Sequence, residues 1–136
     1  RQIFEPSEML PAAGQGALGI EVRSDRADLL ATLGTLAHTP TWLAVTAERT
    51  VSRAMGGSCS MPLAAFVTAV GDGSASLQLN AAWGDPATTQ AAAQNLVQVQ
   101  KTALVNNYQQ AQALGEAVAA QLRAGGAVWA TNAPAV

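Results

Sequence analysis

The chain is 136 residues long, with seven Lys and Arg against nine Asp and Glu for a net charge of −2, and 49% of its residues are hydrophobic. That length supports one domain or slightly more with a real core, and 12% charged residues against a usual value of about 25% argues against disorder. One Lys and six scattered Arg build no basic patch for nucleic acid or an anionic membrane, and a single cysteine excludes an intrachain disulfide or a Cys-based zinc cluster and suits a reducing compartment.

The opening Arg1-Gln2-Ile3-Phe4-Glu5-Pro6 has no signal-peptide pattern, and no apolar run of about 18 residues occurs, so the expected location is cytoplasmic. Residues 1 to 13, with Pro6 and Pro11, read as a connecting segment, and a chain that begins in a connection without Met reads as a fragment. Leu18, Ile20 and Val22 alternate with polar or small residues, which predicts a strand with one buried face. Asp25 is placed to cap a helix over 26–37, with Asp28 in its first turn and Leu29, Leu30, Leu33 and Leu36 on one face.

Thr39-Pro40 predicts the start of a second helix running to about Met55, with Thr39 as cap, Leu43, Ala47, Val51 and Ala54 or Met55 inward, and Gly56-Gly57 as its stop. The runs Leu63 to Val70 and Ala75 to Trp83, joined by Gly71-Asp72-Gly73-Ser74, predict a hairpin. Residues 94 to 103 predict a third strand. Asn107 is placed to cap a last helix to Ala124, with Ala111, Leu114, Val118 and Leu122 inward and Gly125-Gly126 closing it, and Ala127 to Ala130 to add an edge strand. The fold class expected is α+β: a three-stranded antiparallel sheet with helices on one face, from about residue 38 onward, preceded by a leading piece to about residue 37.

Two features invite a chemical reading. Gly14-Gln15-Gly16-Ala17-Leu18-Gly19 has the spacing of a dinucleotide-binding turn, but a strand rather than a helix is expected after it and no acid follows about 20 residues on, so a flexible crossing between domains fits better. Cys59 stands in Gly56-Gly57-Ser58-Cys59-Ser60-Met61-Pro62, a small-residue loop after a helix. The negative end of that helix opposes thiolate formation unless Arg49 or Arg53 folds back, so the thiol suits attachment to a strong electrophile better than attack on an amide. A Cys-His hydrolase would need His38, which lies at the other end of a helix roughly 24 Å long. Paired carboxylates and metal-ligand clusters are absent from the pattern, so no metal is expected.

Leu10-Pro11-Ala12-Ala13-Gly14-Gln15-Gly16-Ala17-Leu18-Gly19-Ile20-Glu21, then Thr46-Ala47-Glu48-Arg49, then Gly56-Gly57-Ser58-Cys59-Ser60-Met61-Pro62-Leu63 closely resemble the hydroxymethylbilane synthase, or porphobilinogen deaminase, family. The resemblance implies a three-domain cytoplasmic transferase of porphyrin and heme (tetrapyrrole) biosynthesis that condenses four porphobilinogen molecules into hydroxymethylbilane and releases ammonia. It implies a dipyrromethane cofactor thioether-linked to Cys59, with Gln15 and Gly16 near the cofactor, and Glu48 and Arg49 as an ion pair or cap within the helix. Ser58 stands where the family usually has a second Gly, and Met61 where a β-branched residue is common.

On that resemblance residues 1–16 are the tail of domain 2 and the interdomain crossing. Residues 17–37 are a returning strand and helix of domain 1, so that remnants of α/β domains precede the rest, and 38–136 are the cofactor-carrying C-terminal domain. The family's catalytic aspartate and most of its substrate-binding arginines lie upstream of Arg1, so no catalytic residue is assigned here. The chain alone is expected to be inactive, meeting porphobilinogen only through the missing domains, with a monomeric parent and neither nucleic acid nor membrane as partner. The competing reading is a free-standing, non-catalytic α+β binding module whose cysteine is buried and structural.

Overall fold

Period-two alternation in three segments builds the sheet. The structure, a computed structural model, describes residues 2–58, 60–71, 75–85 and 96–128. Strands β1 (Leu63–Ala69), β2 (Ser76–Gly84) and β3 (Leu96–Leu104) pair antiparallel in the order β1-β2-β3. The register sets Leu63 opposite Trp83 and Val67 opposite Leu79, then Trp83 opposite Val97 and Ala81 opposite Val99. Because side chains alternate across a strand, these apolar residues share one face, while Phe66, Gln78, Asn80, Gln98 and Gln100 fall on the other. There Gln100 Nε2 donates to Asn80 Oδ1 at 2.9 Å across the strand pair. That open face and residues 6–10 enclose a groove of about 770 Å3. Asp72 to Ser74 of the expected hairpin turn, and residues 94 and 95 of the expected third strand, lie outside the described residues.

Helices α2 (Thr39–Ala54) and α3 (Tyr108–Ala124) cover the apolar face, α2 over β1 and α3 over β3 and β2, as the α+β reading anticipates. A third helix, α1 (Ala27–Gly34), precedes them in the chain. Leu43, Ala47, Val51 and Met55 of the α2 segment and Ala111, Leu114, Val118 and Leu122 of α3 are buried against Leu79, Ala81 and Trp83. Asn107 caps α3 as expected, its Oδ1 accepting from Gln110 N at 2.9 Å, while the Gln110 side chain accepts from Asn106 N at 2.7 Å. At the other end Gly126 takes φ +99°, and Ala127 N donates to Leu122 O at 2.9 Å. Ala127 is therefore buried as part of the helix stop and forms no strand, Val128 is exposed, and residues 129 and 130 of the expected edge strand lie outside the described residues. Thr39 is the first helical residue of α2, and His38 occupies the cap position instead, its Nδ1 2.8 Å from Thr41 Oγ1.

The leading piece departs from expectation. Leu18 to Val22 form no strand, and Leu18 is 91% exposed. Alternation supplies a face for burial but not a partner, and among the described residues no strand lies alongside. Helix α1 is shorter than expected and buries none of its residues, leaving Leu29, Leu30 and Leu36 exposed. Asp25 does not cap it, because its carboxylate accepts from Arg23 Nε at 3.0 Å.

Candidate functional site

An edge strand presents backbone N–H groups that must find acceptors. On β1 they are met from two directions. Ala65 N donates to Pro11 O at 3.1 Å, and Val67 N donates to Glu48 Oε1 at 2.8 Å. Glu48 Oε2 accepts from Gly14 N at 2.7 Å. One carboxylate thus joins α2, β1 and the segment that runs along the strand edge, and Ala13 packs against the core beside it. Glu48 is only 4% exposed, and two N–H donors are what a buried carboxylate needs to offset lost hydration. Its role differs from the expected ion pair or cap within the helix, since both its partners lie outside α2. Burial pushes its carboxyl above the usual carboxylate range, with the two backbone donors opposing that shift.

The segment beyond is a pair of turns. Gly14 and Gly16 take φ +75° and +85°, a region closed to most side chains, while Gln15 N donates to Ala12 O and Ala17 N to Gly14 O. Gln15 turns its side-chain oxygen back to Ala12 N at 3.0 Å. Gln15 and Gly16 are both exposed on this crossing.

A Glu48→Gln replacement keeps one acceptor oxygen but turns an amide NH2 toward a backbone N–H. The resulting unpaired buried donor costs about 1–3 kcal/mol. Because the folded chain holds the Glu48 proton more tightly than the unfolded chain, the contribution of this carboxyl is full below the ordinary carboxylate range and falls as pH rises through the raised value. The stability gap between wild type and Glu48→Gln is therefore expected to be larger near pH 4 than near pH 7. Urea denaturation at both pH values checks this, and a gap that widens toward neutrality contradicts it.

The cysteine loop follows α2. Gly56 and Gly57 take φ +122° and +68°, and Gly57 N donates to Ser52 O at 2.9 Å, which reverses the chain as expected. Ser58 and Ser60 are exposed with their hydroxyl oxygens 2.7 Å apart, and Met61 is buried and anchors the far end. Pro62 O then accepts from Gly84 N at 2.9 Å, tying the loop to β2. Cys59 itself lies outside the described residues. At the end of α2, whose last turn carries Arg53, Arg123 of α3 donates to Ala54 O. His38 sits at the start of the 16-residue α2, at the end opposite this loop. Among the described residues no group of three side chains suits a metal ion, and no helix is long and apolar enough to cross a membrane.

The glycine turn is attached to α2 through Glu48, and the cysteine loop joins the end of α2 to β1. The family profile described as porphobilinogen deaminase, C-terminal domain, matches residues 42–124, more than half of the chain. The chain belongs to the porphobilinogen deaminase family. A second profile, described as porphobilinogen deaminase, dipyromethane cofactor binding domain, matches residues 1–31, so the Glu48–Gly14 bond links the two matched regions.

Curated relatives named porphobilinogen deaminase agree. That of Albidiferax ferrireducens is 56% identical over 98% of this chain and 42% of its own length. Those of Paraburkholderia phytofirmans and Ralstonia nicotianae are each 47% identical, over 94% and 93% of this chain and 35% and 36% of their own lengths. The chain thus spans about two fifths or less of these porphobilinogen deaminases.

Proposed function

We propose that this chain supplies the cofactor-carrying part of a porphobilinogen deaminase, with Cys59 as the covalent anchor of a dipyrromethane. The observation that carries the reading is the placement of the Gly56–Met61 loop, held at one end by α2 and at the other by buried Met61, in a chain 56% identical to a porphobilinogen deaminase along nearly all its length. A thioether anchor needs one sulfur on a segment without bulky neighbours. The one cysteine of the sequence stands between exposed Ser58 and Ser60 and follows two glycines in left-handed conformation, which fits.

When bound, the dipyrromethane supplies the pyrrole end to which four porphobilinogen units are added with release of ammonia. The chain's own residues hold and place it. Cys59 provides the sulfur, Gly56 and Gly57 give the loop its reversal, and Arg123 sets a positive charge on the carbonyl end of α2 from which the loop departs. Gln15 and Gly16 line the exposed side of the crossing and are assigned to the cofactor's surroundings. Turnover is assigned to the family's full length, in which this chain would serve cytoplasmic tetrapyrrole synthesis as part of a monomer, so the 136 residues alone are expected to be inactive.

In a full-length enzyme carrying this sequence, Cys59→Ser is expected to reduce porphobilinogen consumption to background. Turnover near the wild-type rate in that variant would overturn the assignment.

A further inference from the structure

The crossing that carries Gly14, Gln15 and Gly16 touches the rest of the fold through few bonds. Pro11 O accepts from Ala65 N, and Gly14 N donates to Glu48. From Ala17 to Ile20 the chain is exposed. The last firm attachment before that stretch is therefore the Glu48 carboxylate, whose second oxygen holds Val67 at the middle of β1.

We propose that Glu48 is a positioning residue: its two-pronged acceptance from Gly14 and Val67 fixes the glycine turn at a set place on α2 and β1, the same two elements that carry the cysteine loop. The geometry suits this role better than generic core filling. A carboxylate is a poor choice for a buried site unless both its oxygens are used, and here each oxygen serves a different segment, 34 and 19 residues away in sequence. A buried apolar residue would fill the space but leave two N–H groups without acceptors and the turn free to slide. Gly14 contributes its backbone conformation, a φ of +75° that L side chains rarely adopt. The consequence for the cofactor rests on the reading of Cys59 as its anchor, whereas the positioning itself does not.

The test is amide hydrogen exchange on the 136-residue protein. In wild type, the Gly14 amide is expected to exchange at least tenfold more slowly than that of exposed Gly16, two residues along the same crossing. In Glu48→Gln the Gly14 amide is expected to lose roughly tenfold of its protection beyond any loss at Leu114 and Val118 of α3, which report global stability. Val118→Ala, a core truncation away from the crossing, is expected to lower protection at Gly14 and α3 together. The proposal is overturned if wild-type Gly14 exchanges as fast as Gly16, or if Glu48→Gln lowers Gly14 only in step with α3. Both results are read without cofactor or turnover, so they stand apart from any failure of the Cys59 assignment.

Discussion

Gly115→Ala is expected to destabilise the fold by about 2–3 kcal/mol and to lower Tm by roughly 10 °C, a large effect for one added methyl group. A Cβ at this buried position of α3 would lie 2.5 Å from the carbonyl oxygen of Ala47 and 2.6 Å from Thr50 Cβ, both on α2. The nearest obstacle is backbone, so no rotamer relieves it, and α2 and α3 must separate along their whole contact. Helix propensity works the other way, since alanine is favoured over glycine by about 1 kcal/mol, but overpacking outweighs it. Gly125→Ala is the comparison: its Cβ would lie 2.7 Å from the Val97 Cγ1 methyl, a side-chain atom rather than backbone, and its backbone φ of −78° accepts alanine, so its loss is expected to be the smaller. Thermal unfolding of both variants checks the argument. An unchanged Tm for Gly115→Ala contradicts the close crossing of the helices.

Trp83→Ala is expected to cost about 3–5 kcal/mol. Trp83 is 2% exposed near the end of the central strand β2, flanked in register by Leu63 of β1 and Val97 of β3, and it belongs to the core beneath the helices. Trp42 makes the contrast. It is half exposed and stacks on Tyr108 with ring centroids 5.4 Å apart, so Trp42→Ala loses mainly one aromatic contact, about 0.5–1.5 kcal/mol. Urea denaturation of the two variants should rank them clearly. Equal losses would place Trp83 outside the core.

What was legible in the sequence follows the range of the interactions. The bounds of α3 were written in Asn107 and Gly125-Gly126, because capping and helix stops act within a few residues. The inward face of α2 was readable for the same reason: a period of 3.6 set by Leu43, Ala47 and Val51. The strand expected at Leu18 to Val22 failed because alternation identifies a face without saying whether a neighbouring strand exists to pair with it. Glu48 stands in a short motif, but its partners are not legible there, since helical spacing points to residues three or four positions away and its donors are Gly14 and Val67. Nothing in the local sequence marks Arg123 as a neighbour of the end of α2. Its acceptor, Ala54, is 69 residues distant, and only the packing of α3 on α2 brings them together.

The proposed dipyrromethane link at Cys59 is open to mass measurement, without reliance on rates. A full-length enzyme bearing this sequence, purified from a host that makes porphobilinogen, is weighed intact and its Gly56-to-Leu63 peptide is mapped. A covalent dipyrromethane is expected on the Cys59 peptide of the wild type and none on Cys59→Ser. A wild-type protein of unmodified mass with an unreactive Cys59 thiol would contradict it and favour a buried, structural cysteine.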